Sequence, residues 1–183
     1  MTVNPEHIEL LEEVRQSLPD GFKAEISGDT IVMQASPTMI HQRNLVILRR
    51  QFDAHVPAGY MDTANTDLGS AHADTVRNPD LTYLPDEVMA SPGHIAPAHE
   101  ALIAVEIVSP SNPDNDWVGK VRDYPLLGVP MYLIVDGRKK SVTLFSELSK
   151  GRYRLREDAG FGEDIHIPAP FSFALDTSPL MPY

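Results

Sequence analysis

Asp80, Glu106 and Lys120 stand 26 and 14 positions apart in a chain of 183 residues. The two acids belong to strand-like segments, and the lysine belongs to the helical segment after the second. If the strands pair, both carboxylates reach one sheet edge with the ammonium above them. Two oxygen ligands so placed fix a hard cation, while the ammonium orients a water or neutralises developing charge. That is the minimum set for phosphodiester hydrolysis, and the carbonyl of Ile107 adds a third protein oxygen.

Glu106 is the residue that most needs a reason. It is the only charge in the apolar run 102–108, and such a run bounded by turn signals has the pattern of a buried strand. A lone carboxylate there is costly to ionise without a cation, a metal or a proton beside it. A structural ion pair with Lys120 or an arginine meets that need as well as a catalytic metal does. Asp80, following Pro79, has the ordinary alternative of a turn-forming aspartate, and Lys120 that of a solvated helix residue paired with Asp116 four positions earlier.

Composition narrows the chemistry. The chain has no cysteine, so a metal would be held by carboxylate and imidazole, and Mg²⁺ or Mn²⁺ are the natural cations. A net charge of −11 argues against binding nucleic acid by bulk electrostatics. Arg43, Arg49, Arg50, Arg122, Arg138, Lys139 and Lys140 form no single stripe along the sequence. With 42% hydrophobic residues the expectation is one globular domain spanning 1–183. No signal-peptide pattern or membrane-length apolar run is present, and the expected location is cytoplasmic.

The elements that must position the acids follow from local patterns. A helix is expected over 4–18, as an N-terminal extension, and then strands over 22–26 and 30–34 joined at Ser27-Gly28-Asp29. Ser36-Pro37-Thr38 starts a second helix over 39–55, with His41 in its first turn. Residues 56–76 carry little periodicity and are expected to be loop with at most one short strand. Residues 77–85 form a turn feeding a strand, and 85–100 a loop. After the strand with Glu106, a capped helix runs to about residue 127, where Gly128-Val129-Pro130 ends it. Strands follow over 131–135 and 141–146, with short strands near 153–156 and 164–167. The architecture expected is α/β, a central mixed sheet flanked by helices.

Taken in order, Glu25, Ser36-Pro37, His41, Pro79-Asp80, Val105-Glu106-Ile107-Val108-Ser109-Pro110-Ser111, Asp116, Lys120, Tyr124, Gly128-Val129-Pro130 and Tyr132-Leu133-Ile134-Val135-Asp136 resemble the Uma-two family. This is a restriction-endonuclease-like branch of the PD-(D/E)XK nuclease superfamily. The resemblance covers about residues 22–176 and is strongest over 79–136. It implies the restriction-endonuclease core and makes Asp80 and Glu106 the two motif acids. The position two after Glu106 is Val108, where the superfamily pattern has lysine, so the lysine role passes to Lys120. His41 matches the family's helical histidine and Glu25 its early-strand acid.

The function expected is a metal-dependent endonuclease acting on nucleic acid, DNA above all. A catalytically inactive nuclease-fold interaction module is the alternative, and hydrolysis of a smaller phosphate compound a third reading. His41 and Glu25 also have ordinary packing roles open to them, Tyr124 reads as core or pocket wall, and Trp117 as a packing residue. His72, His94 and His99 have no ligand spacing. A homodimer is expected to pair two sites, with residues around Phe161, Phe171, Phe173 and Leu175 as a candidate surface.

Overall fold

Asn4 caps the first helix with its side chain, accepting from the Glu6 N–H, and Pro5 takes the first helical position. In a computed structural model that describes residues 4–19, 22–28, 30–35, 37–70 and 74–183 (side chains of 34 and 35 excepted), this helix, α1, spans Pro5–Ser17. The hairpin of β1 (Phe22–Ser27) and β2 (Thr30–Ala35) follows, then α2 (Met39–Asp53), capped by the Thr38 side chain on the His41 N–H. Asp29, Ser36 and His72, cited above in a turn, a helix start and a loop, lie outside the described residues.

Three short strands occupy the stretch expected to be mostly loop: β3 (Tyr60–Thr63), β4 (Asp67–Ser70) and β5 (Thr75–Arg77). At three or four residues each, of mixed polarity, they are too short to leave a period in the sequence, and sheet neighbours supply their hydrogen bonds. β6 (Leu81–Pro85) is as expected. The expected 85–100 loop instead contains α3 (Asp86–Met89), β7 (Ile95–Pro97) and a 3₁₀ turn over Ala98–Glu100. β8 (Ala104–Ile107) carries Glu106, and the helix after it begins with a π-helical segment, Asn115–Lys120, before α4 (Val121–Leu127). Gly128 ends α4 at φ 88°, a left-handed value suited to glycine.

β9 (Tyr132–Asp136), β10 (Ser141–Ser149) and β11 (Arg152–Gly160) form a meander, and β12 (Asp164–Ile167) pairs with β13 (Phe173–Asp176). One sheet runs β2-β1-β5-β4-β7, a second β11-β10-β9-β8-β6-β3 with β8 and β9 parallel, and β12-β13 form a third. The expected mixed sheet with flanking helices is the observed architecture. β5 and β6 lie in different sheets, so the four residues from Arg77 to Asp80 turn the chain from one to the other.

Successive side chains of a strand face opposite ways. Val105 and Ile107 therefore enter the core shared with Leu48 and Phe52 of α2, while Ala104 and Val108 enter the core shared with Tyr124 and Leu127 of α4. Glu106 has the parity of the α4 side. Phe171, Phe173 and Leu175, offered above as a dimer surface, are buried in the first core, and Phe161 packs against it. Alternation along β13 turns its apolar residues inward. Among the described residues, no helix is long and apolar enough to cross a membrane.

Candidate functional site

The two acids meet where a ladder stops. β6 and β8 pair antiparallel at Leu81↔Val105 and Thr82↔Ala104, and continuing that register by one residue sets Asp80 opposite Glu106. The next residue back is Pro79, which has no N–H to offer, and its carbonyl accepts from Asn65 N at 3.3 Å. The Ile107 N–H donates to Asp80 Oδ2 at 2.9 Å, so a side chain takes over from the strand. The Pro-Asp pair thus has a structural meaning: the proline opens the edge and the aspartate fills it.

Asp80 is surrounded by donors. His41 Nε2 lies 2.9 Å from Oδ2, placed there by the capped first turn of α2, and Lys23 Nζ on β1 lies 3.5 Å from Oδ1. Burial pushes the Asp80 carboxyl up, but the His41 hydrogen bond and charge, then Lys23 and Lys120, overcome it and hold the pKa at about 2. Asp80 is ionised at every ordinary pH.

Glu106 lies in a different environment. Its Oε1 accepts from Tyr124 Oη at 2.6 Å and lies 2.8 Å from Lys120 Nζ. The same ammonium lies 3.2 Å from Asp116 Oδ1 and 3.6 Å from Glu25 Oε1. Burial drives the Glu106 carboxyl upward; Lys120 opposes this, and Asp80, Asp116 and Glu25 add to it. Asp116 is raised for the same reasons, while the surrounding acids raise Lys120 against its own burial. One buried cation is shared by more carboxylates than it can balance.

Glu25 finds its main partner elsewhere. Its Oε2 accepts from Arg77 Nη1 at 3.0 Å, and Arg77 also donates to Asn115 Oδ1 at 3.1 Å and to Asp123 Oδ2 at 2.6 Å through Nη2. Gly119 makes room for this arginine, because a Cβ there would lie 3.1 Å from Arg77 Nη2. β9 fixes the π-helical segment from below: Tyr132 Oη donates to the Asp116 carbonyl at 3.0 Å, and the Asp136 carboxylate accepts from Trp117 Nε1 at 2.9 Å. The Tyr132…Asp136 spacing in the sequence therefore sets the rotation of the helix that carries Asp116 and Lys120.

All five side chains singled out from sequence come together here. Asp80, Glu106, His41 and Ile107 border one pocket of roughly 40 Å³, closed on other sides by Lys23, Asp116 and Tyr183. Glu25 and Lys120 lie behind it, both at 0% exposure. Lys120 is therefore not a solvated helix residue, although its pairing with Asp116 is as expected. Lys23 and Arg77 carried no signal in the sequence, Asp116 stood in the ordered set that carries the family resemblance, and Tyr124, read as core or pocket wall, donates to Glu106. His94 and His99 stand apart from the pocket. Among the described residues, no three His, Asp or Glu side chains are grouped so that together they could hold a metal ion.

Comparison with known proteins bears on the fold and the family. A crystal structure of a putative nuclease belonging to DUF820, from Anabaena variabilis ATCC 29413, superposes with a TM-score of 0.69 over 93% of this chain and 96% of that one. At 16% identity this likeness establishes the shared fold. No curated protein matches the chain. The model of the Uma2 family, described as "Putative restriction endonuclease", matches residues 9–178, and the chain belongs to that family.

Proposed function

We propose that the pocket between Asp80 and Glu106 is the centre of a Mg²⁺- or Mn²⁺-dependent nuclease of the cytoplasm that hydrolyses phosphodiester bonds in nucleic acid. The observation that carries this reading is the placement of the two acids on one pocket, just past the end of the β6–β8 ladder, with an ammonium 2.8 Å from one of them. The donors are oxygens, and the pocket is of the size needed for a small hydrated ion rather than a bulky group. A magnesium site takes one or two carboxylates and keeps its waters, so a full cage of side chains is not required. The deficit of positive charge around Glu106 is what a divalent cation would relieve. Asp80, Glu106 and the Ile107 carbonyl are the proposed ligands.

When bound, such a cation supplies Lewis acidity toward a phosphate and its attacking water. His41 and the Ile107 N–H hold Asp80 in one orientation and keep it ionised. Tyr124 and Lys120 hold Glu106 by the same oxygen, Oε1. Lys120, enclosed by three acids, acts as the charge-neutralising group. Glu25, tied to Arg77, anchors the lysine from behind.

The test is Mn²⁺ titration followed by thermal stabilisation and by cleavage of labelled DNA, on wild type and Glu106→Gln. The expected result is saturable stabilisation and cutting, both lost in the variant. One observation favours the alternative of an interaction module: Lys120 has no exposed surface from which to meet a substrate. Folded wild type that binds no Mn²⁺ would select that alternative.

A further inference from the structure

Beyond Asp80 the acid pocket borders a second space of roughly 470 Å³, and the two share Lys23, Pro37 and Asp80 as walls. This volume lies in the range of small-ligand sites, whereas the acid pocket alone is far below it. Phe22 lines the outer space and is 48% exposed. A lone exposed aromatic is ordinary, but this one stands directly before Lys23 at the start of β1. Gln42 and Asn65, both exposed, contribute amides that can donate and accept.

Charge decides what such a groove can hold. Arg15, which also lines it, is neutralised by two hydrogen bonds to Asp67, at 2.8 and 3.0 Å. Lys23 remains, with 27% of its side chain exposed and only a 3.5 Å contact to Asp80. A duplex is held through many phosphate contacts, and with a net charge of −11 this wall offers one ammonium. An unpaired nucleotide asks for less: an aromatic face for the base, polar groups at its edge and one cation for its phosphate. We propose that the groove between Phe22, Lys23, Gln42 and Asn65 is a subsite for one unpaired nucleotide. Its base stacks on Phe22 and its phosphate meets Lys23, at the entrance to the acid pocket. Lys23 is then the substrate-facing cation, a position that buried Lys120 does not hold. The inference rests on the nuclease reading for the fate of that nucleotide, and it makes single strands, flaps or frayed ends the preferred substrate.

The experiment is fluorescence anisotropy of labelled oligothymidylate, alone or annealed to oligodeoxyadenylate, with wild type, Phe22→Ala, Phe22→Trp and Lys23→Met in metal-free buffer, followed by cleavage of the same strands on adding Mn²⁺. The expected result is preference for the single strand and a loss of about tenfold in Phe22→Ala, restored in Phe22→Trp. Lys23→Met should weaken binding and lower the salt dependence by about one counterion. Single-strand affinity indifferent to Phe22, equal affinity for the duplex, or no binding by wild type overturns the subsite. Mn²⁺-dependent cleavage that is lost in Glu106→Gln but unchanged in Phe22→Ala removes the subsite and keeps the nuclease. Phe22-dependent binding with no cleavage by wild type does the reverse.

Discussion

Asp80 and Glu106 face the same pocket from adjacent strands, yet the molecule treats them in opposite ways. Around Asp80, an imidazole, an amide N–H and a rim lysine outnumber the acid, and its carboxyl is held at about 2. Behind Glu106, three carboxylates share Lys120, and the glutamate is pushed up. Backbone position does not explain the difference, since the two residues lie opposite each other in register. The number of donors each strand's neighbours bring does. The rim is built to keep a charge, and the interior to be short of one.

The largest effect should come from removing the interior's cation. Lys120→Met leaves Glu106, Asp116 and part of Glu25 buried without their partner, and breaking a buried pair in this way costs about 3–5 kcal/mol. Urea unfolding at neutral pH should show that loss. A change under 1 kcal/mol would mean that Glu106 and Asp116 are already protonated and that the contrast with Asp80 is one of proton occupancy. Lys23→Met, at the partly exposed rim, should change stability far less.

The two acids should then respond with opposite signs. The folded pKa of Asp80 lies below its unfolded value, so its stabilisation is in place above the usual aspartate range and fades as pH falls through about 2. Asp80→Asn should therefore lose about 2 kcal/mol at pH 7. The folded pKa of Glu106 lies above its unfolded value, so its contribution is present below the usual glutamate range and is lost as pH rises through the raised folded value. Without added metal, Glu106→Gln should thus gain stability relative to wild type as pH rises from 5 toward 9, by about 1 kcal/mol or more. Melting curves of both variants across that range check the signs. If Glu106→Gln loses stability as pH rises, the interior is not short of positive charge.

The contrast also marks how far sequence reading reaches. The strand with one acid, the helix with one lysine and the next strand were legible because each is continuous in the chain and bounded by Pro, Gly or Ser. The Pro79-Asp80 pair was legible as a motif, though its effect on the ladder depends on Ile107, twenty-seven residues away. The interior network was not legible. Arg77 meets Glu25 only because β5 lies beside β1, paired at Ile26↔Val76, and no sequence signal links the two strands. Asp116 four residues before Lys120 has the spacing of a surface pair, and only its burial turns it into a competitor for that charge. Phe171, Phe173 and Leu175 misled for the converse reason: the apolar cluster offered as a surface is buried, Phe173 and Leu175 on the inward face of a short strand and Phe171 just before it.

The smallest effect isolates the neutral member of the interior. Tyr124 donates to the oxygen of Glu106 that Lys120 also approaches, so Tyr124→Phe removes a hydrogen bond without removing volume or charge. Hydrogen bonds to charged groups contribute about 1.5–3 kcal/mol, and neutral ones nearer 1. A loss near 1 kcal/mol at pH 5 that grows toward pH 9 means the phenol is stabilising an ionising Glu106. In that case the same substitution should weaken Mn²⁺ stabilisation, because the ligand loses its orientation along with its donor. A loss that is flat with pH would show that Glu106 does not change charge over this range, and the difference between the two acids would then have to be sought in geometry alone.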